Sequence, residues 1–126
     1  MQQKKSHLKP SNVPLLQEWQ KAYLAGIIDG EAHIRKFFVR KTSIGNNYGF
    51  EIQIAQNTLP LLETIKEWTK EGTINKKKVP KATKQVYYWA VRKRLVIKDI
   101  LKQVLPYLIV KQKVAEEILE TLEKMY

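Results

Sequence analysis

One predicted helix of this chain carries almost no side chains along one face. Apolar residues recur at steps of three and four over residues 15–30, which predicts the helix. Its small or short residues are Ala22, Ala25, Gly26, Asp29 and Gly30. A glycine inside a helix costs about 1 kcal/mol relative to alanine, and close approach of a second helix backbone is the usual compensation. Because no other predicted helix has a matching face, we expect a two-fold dimer that packs this face against itself.

The overall charge of the chain indicates polyanionic partners. Lysine and arginine total 23 against 12 aspartate and glutamate residues, which gives a formal net charge of +11. Nucleic acid, an anionic membrane surface and plain solubilising charge all fit this excess, and charge alone cannot separate DNA from RNA. The lack of cysteine excludes disulfides, cysteine zinc sites and thiol catalysis. No apolar run approaches the roughly 18 residues of a membrane span, so we expect an intracellular protein with no membrane partner.

The order of predicted elements indicates one α+β domain over residues 15–126. Residues 1–14 are polar and basic and predict a mobile arm. After the first helix, the patterns predict strands over 32–40 and 48–55, a helix over 60–71, strands over 73–79 and 85–92, and helices over 97–108 and 111–125. This αββαββα order with a terminal helix implies a mixed sheet covered by helices on one face. The other face is then free to meet a partner.

Residues 24–32 read LAGIIDGEA and closely resemble the motif of the LAGLIDADG family of homing endonucleases. In that family a single copy of the motif implies a homodimer whose motif helices pack at the subunit interface. The resemblance further implies that Glu31 binds a divalent cation, with the Gly30 carbonyl as a second ligand. Oxygen ligands suit Mg²⁺, or another divalent cation such as Mn²⁺. Asp29 fits better as a structural residue near the helix end, and Ala32 stands where glycine is common.

Two later segments extend the resemblance. Residues 50–56 read FEIQIAQ and are similar to the second strand of single-motif members, which implies that Gln56 helps to organise active-site water. Residues 105–113 are similar to a proline-containing family segment, which implies that Lys111 reaches the scissile phosphate and offsets its developing charge. A strand-end hydrogen bond for Gln56 and an ordinary solvated lysine at 111 are the alternatives. Some members carry an arginine soon after the glutamine, but residues 57–61 contain no basic residue.

The two predicted strand pairs carry the residues that would read DNA. A two-stranded β-ribbon fits the major groove, where base edges present distinct donors and acceptors. The candidate base-contacting residues are Arg35, Lys41, Asn47, Glu51 and Gln53 in the first pair, and Asn75, Lys77, Tyr88 and Arg92 in the second. The alternative for each is an exposed strand residue without a contact. Phe37 and Phe38 are adjacent, so one of them faces away from the core or marks a β-bulge.

The resemblance implies a site-specific homing endonuclease that hydrolyses phosphodiester bonds of double-stranded DNA at a long target. Use of one subunit twice predicts that this target is roughly palindromic. An intron RNA maturase and a non-catalytic DNA-binding protein on the same fold are the alternatives. The intact acid at Glu31 together with Lys111 favours cleavage, and intron RNA stays open as a further partner.

Overall fold

The computed structural model describes residues 9–78, 80–81 and 84–125. The elements are α1 (Glu18–Glu31), β1 (Ala32–Thr42), β2 (Gly45–Gln56), α2 (Leu59–Thr69), β3 (Thr73–Lys77), β4 (Val86–Val91), α3 (Arg94–Val104) and α4 (Gln112–Met125). A 3-10 turn over Leu105–Tyr107 follows α3, since Pro106 lacks the N–H that a continuing α-helix needs. The predicted αββαββα order with a terminal helix is confirmed. None of the described helices is long and apolar enough to cross a membrane.

The four strands form one antiparallel sheet in the order β1-β2-β4-β3. The prediction of a mixed sheet is therefore wrong. Strands β2 and β3 run in the same direction, but β4 lies between them and is antiparallel to both. As a result no two neighbouring strands are parallel.

The hydrophobic core lies between one face of the sheet and the helices. The alternation predicted for β2 is confirmed, because Phe50, Ile52 and Ile54 are all buried. Helix α1 contributes Leu24 and Ile28 to the same core. Burial of each such side chain stabilises the fold by roughly 1.5–3 kcal/mol. The opposite face of the sheet is consequently left without helices.

The segment before α1 differs from the predicted mobile arm. The backbone N–H and the Nδ2 of Asn12 both donate to Oε2 of Glu71, at 2.9 and 3.1 Å. The N–H of Leu16 donates to Oε1 of Gln103 at 2.8 Å. These two polar side chains satisfy the backbone before the helix and fix it to the domain. Residues 1–8, the larger part of the predicted arm, lie outside the described residues.

Candidate active site and nucleic-acid interface

The end of α1 and the end of β2 meet at one corner of the sheet. Glu31 is the last residue of α1, and the pairing of Ala32 with Ile54 places β2 beside it. Gln56, the last residue of β2, donates from Nε2 to Oε1 of Glu31 at 3.1 Å. The structure therefore brings together the predicted metal ligand and the predicted water-organising amide.

The carboxylate of Glu31 is exposed and forms no ion pair with a basic residue in the described part of the chain. Gly30 precedes it in the last turn of α1, where backbone carbonyls have no further partner within the helix. Carboxylate and carbonyl oxygens are the donors that Mg²⁺ and Mn²⁺ prefer. No group of three acidic or histidine side chains forms among the described residues. The donors thus fit an ion that takes one or two carboxylates together with phosphate oxygens and water.

Asp29 attaches the loop before α4 to the end of α1. Its Oδ2 accepts a hydrogen bond from the N–H of Ile109 at 2.7 Å, and its Oδ1 accepts one from the N–H of Lys111 at 3.0 Å. Burial alone would raise the pKa of Asp29, but these backbone donors outweigh burial and lower the pKa below its ordinary value. The carboxylate therefore contacts its own subunit, which fits the structural role expected of Asp29, and its place at the dimer face stays a prediction.

Lys111 packs against the last turn of α1. Its Nζ donates to the backbone carbonyl of Asp29 at 2.8 Å, and the side chain is half-buried. Asp29 lies two residues before Glu31, so Lys111 is held at the same end of the helix as the acid. An ammonium group has three N–H donors, which leaves capacity for a phosphate oxygen.

One side of α1 is exposed and includes most of the predicted small-residue face. Ala22, Gly26 and Gly30 are exposed, and a Cβ added at either glycine would meet nothing within 4 Å. Ala25 was predicted on the same face but is fully buried in the core of its own subunit. An α-helix turns by about 100° per residue, so Ala25 and Gly26 point in different directions. Ala25 lies beside Ile28, on the side of the helix that faces the core.

Two aromatic side chains border this exposed face. Trp19 is 59% exposed and Tyr23 is 52% exposed. Each packs edge-to-face against Trp68 of α2, with ring centroids 5.3 and 5.7 Å apart. Apolar periodicity alone does not separate these two residues from the core positions of α1, because the helix has apolar residues on two sides. The exposed side of α1 is therefore largely apolar.

The sheet face opposite the helices carries most of the predicted base-contacting residues. The strand register places on it Arg35, Asn47, Glu51, Gln53, Asn75, Lys77, Tyr88 and Arg92. A cleft of about 520 Å³ opens on this face, bordered by residues of β2, β3 and β4. The arrangement offers a polyanion a broad polar surface with several basic side chains.

Lys41 lies on the other face, because β1 contains a β-bulge. The register of β1 against β2 shifts between Phe38 and Arg40, so Val39 is an extra residue. After the bulge every residue of β1 changes faces. Arg40 pairs with Asn47 and takes the face predicted for Lys41. If the residue pairs are counted back from the turn between Thr42 and Gly45, Arg40 is paired with Asn47 and so is placed on the face opposite the helices.

Four of the predicted base-contacting residues, Arg35, Asn47, Glu51 and Arg92, already form hydrogen bonds within the subunit. The carboxylate of Glu51, only 4% exposed, accepts hydrogen bonds from Nε of Arg35 at 3.0 Å and Nε of Arg92 at 2.9 Å. Burial raises the pKa of Glu51, but the two guanidinium groups outweigh burial and lower the pKa overall. Asn47 accepts a hydrogen bond from Nη2 of Arg94 at 3.0 Å. The prediction that Glu51 contacts a base is corrected, because its carboxylate is buried and held by two guanidinium groups of its own subunit.

The sequence can be placed in a known family. The profile of the LAGLIDADG endonuclease family matches residues 24–120. The chain belongs to this family. A search of the curated proteins gives no match. The family predicted from the motif is thus confirmed by a match that extends over most of the domain.

Solved structures of homing endonucleases share the fold. The homing endonuclease I-CvuI, in complex with its target in the presence of 2 mM Ca, gives a TM-score of 0.70 at 22% identity, covering 85% of this chain and 68% of that chain. The archaeal intron-encoded enzyme I-Vdi141I, complexed with DNA, gives a TM-score of 0.70 at 19% identity, covering 86% and 69%. The group I intron-encoded enzyme I-CeuI, complexed with DNA, gives 0.69 at 18%, covering 96% and 61%. The predicted fold is confirmed.

Proposed function

We propose that this protein is a metal-dependent homing endonuclease that cuts double-stranded DNA at a long, roughly palindromic site as a homodimer. The observation that carries the proposal is the exposed carboxylate of Glu31, which Gln56 contacts at the end of the motif helix. Membership of the LAGLIDADG endonuclease family supports the activity class. The roles of the individual residues are part of the proposal.

Duplex DNA is the substrate that best fits the surface and the relatives. I-CvuI and I-Vdi141I share the fold; the first was solved with its target and the second with DNA. I-CvuI was also solved with uncleaved DNA in the presence of 2 mM Mg. The net charge of +11 favours a polyanion, and the helix-free sheet face has the polar side chains that a DNA groove requires.

We assign the cation to the Glu31 carboxylate and the Gly30 carbonyl, with Mg²⁺ or Mn²⁺ as the ion. The chemistry that such an ion supplies is an activated water nucleophile and neutralisation of charge on the phosphate. Gln56 orients the Glu31 carboxylate through its Nε2 hydrogen bond and has an amide oxygen left for a water molecule. Lys111 offsets the charge that builds on the phosphate in the transition state. Its bond to the carbonyl of Asp29 keeps the ammonium at this end of α1.

A second copy of the chain packs on the exposed face of α1 in this proposal. Gly26 and Gly30 leave open space within the subunit, so nothing in the described chain compensates their cost to the helix. Helix-to-helix contact across a two-fold axis provides that compensation. It also places one Glu31 from each subunit near the axis, so that each DNA strand meets one acid.

Selection of cleaved molecules from a randomised duplex library in Mg²⁺ tests the proposal. The wild-type protein is compared with Glu31→Gln, which keeps the size of the side chain and one acceptor oxygen for Gln56 but removes the charge. We expect a pseudo-palindromic consensus from the wild type, no cleavage by the variant, and similar binding of both proteins to the consensus duplex.

Two outcomes would overturn the proposal. If both proteins enrich bound duplex but neither cuts it, the chain is a DNA-binding protein without nuclease activity. If both prefer structured intron RNA to duplex DNA and neither cuts, the maturase alternative replaces the nuclease.

A further inference from the structure

Glu51 occupies the centre of a three-strand cluster on the sheet face opposite the helices. It lies on β2 directly across from Arg35 of β1. On its other side β4 ends at Val91, which pairs with Ile52, and the next residue is Arg92. The carboxylate is therefore flanked by one guanidinium from β1 and one from the residue that follows β4.

Each arginine contacts Glu51 through its Nε atom. The distances are 3.0 Å from Arg35 to Oε1 and 2.9 Å from Arg92 to Oε2. Within the described residues neither guanidinium has another hydrogen bond, so the Nη groups of both remain available. Arg35 is 45% exposed and Arg92 is 67% exposed, whereas Glu51 is 4% exposed. The two cations thus cover the anion, and the exposed surface of the cluster is cationic.

The ring of Phe37 supports the same cluster. The Cζ atoms of Arg35 and Arg92 lie 4.8 and 5.9 Å from its centroid. A Cβ at Gly49 would lie 2.5 Å from Phe37, so only glycine leaves room for the ring at this place in β2. A glycine inside a strand weakens the strand, but at position 49 it allows the Phe37 ring to contact the two guanidinium groups.

We infer that Glu51 is a positioning residue for base recognition, which holds Arg35 and Arg92 so that their Nη groups read guanines in each half-site. The inference rests on the proposed function, since it assumes that this face meets duplex DNA. Guanine presents two acceptors, N7 and O6, in the major groove, and an arginine that contacts both is the commonest specific contact. Arginine side chains lose much rotational freedom on binding, and anchoring of the Nε atoms orders them beforehand.

Competition binding tests the inference on a background that does not cut. Glu31→Gln protein is measured against the consensus duplex and against duplexes in which each base pair of the half-site is replaced in turn. We expect Arg35→Lys and Arg92→Lys each to reduce discrimination about tenfold at a G·C position of its own. Glu51→Gln should reduce discrimination at both positions and leave affinity for random duplex unchanged or higher, because a negative charge is removed.

Glu71→Gln is the matched control. Glu71 is also buried and also contacts a basic side chain, Lys93, but it lies outside the arginine cluster. We expect it to lower thermal stability without changing base preference. The arginine variants are exposed and should fold, so they test the inference even if Glu51→Gln unfolds.

Two results would overturn the inference. In one, Arg35→Lys and Arg92→Lys weaken binding equally at every sequence, as phosphate contacts do. In the other, Glu51→Gln keeps full discrimination at both positions. Failure of the proposed function would look different, because the wild-type protein would then cut no duplex, whatever base preference the arginine and Glu51 variants show in binding.

Discussion

Two glutamates of this chain have opposite surroundings. Glu31 ends α1, is exposed, and accepts a hydrogen bond from a neutral amide, that of Gln56. Glu51 lies within β2, is almost fully buried, and accepts hydrogen bonds from two guanidinium groups. Both residues belong to the same small domain and are 20 positions apart.

The difference shows which carboxylate is available to a cation. A carboxylate that already has two positive partners within the subunit gains little from a third, and a buried one is costly to reach. A carboxylate that has a neutral amide and no cation as its partner among the described residues can bind an external cation. Acidic residue type alone does not separate the two glutamates, but their partners do.

The largest predicted effect comes from giving Glu31 the surroundings of Glu51. Gln56→Arg places a guanidinium beside the Glu31 carboxylate and should compete with the divalent ion for it. We expect cleavage of the consensus duplex to fall at least about a hundredfold while DNA binding persists.

Gln56→Met is the control for this prediction, since it removes the amide without adding charge. It should reduce cleavage less than Gln56→Arg in single-turnover assays. Equal activity of the two variants would show that the neutral surroundings of Glu31 are not what makes it available.

A second prediction separates the two sites by their need for a partner. The cluster around Glu51 is complete within one subunit, whereas the proposed catalytic centre needs two copies of Glu31. Gly26→Leu fills open space on the exposed face of α1 and raises helix propensity, so the subunit should fold but fail to dimerise. We expect sedimentation velocity to show a monomer, and cleavage of the palindromic duplex to fall about a hundredfold or more.

Glu116→Leu provides the control, because it adds the same side chain to an exposed position of α4. It should leave the dimer and cleavage unchanged. If the Gly26→Leu protein stays dimeric, the exposed face of α1 is not the interface.

The local patterns of the sequence predicted the element order, the buried residues of β2 and the position of Glu31. These features depend on periodicity and on a contiguous motif, which a single segment contains. The two adjacent phenylalanines indicated either an outward-facing ring or a bulge, and the structure has both, with Phe37 outward and Val39 as the extra residue.

Features that depend on several segments could not be predicted. The face of Lys41 depends on the bulge, and the burial of Glu51 depends on arginines from two other strands. Ala25 and Gly26 are adjacent small residues, and only the position of the core decides that one is buried and the other exposed. The strand order likewise depends on the pairing of β4 with β2, and no local sequence pattern predicts that pairing.

A third prediction concerns Lys111, the cation nearest to the catalytic end of α1 in this proposal. Lys111→Met keeps most of the volume of the side chain and removes its charge. We expect cleavage to fall about tenfold to a hundredfold in single-turnover assays, with binding nearly unchanged. Lys113→Met is the control at an exposed lysine two residues further on, and it should cut normally. Normal cleavage by Lys111→Met would make Lys111 a structural contact of Asp29 alone.

The smallest predicted effect concerns Asp29, an acid whose carboxylate accepts hydrogen bonds from backbone N–H groups. These donors hold its pKa below the ordinary value, so Asp29 contributes stability above its unfolded pKa of about 3.9, and this contribution disappears as pH falls through the folded pKa. Asp29→Asn should therefore lower the free energy of unfolding by about 1–2 kcal/mol at pH 7. In urea titrations the difference from wild type should shrink below about pH 4. Glu51 also has a lowered pKa and remains in the variant, so some acid sensitivity should persist. A stability difference that is the same at pH 7 and pH 3 would mean that the charge of Asp29 does not hold the loop before α4.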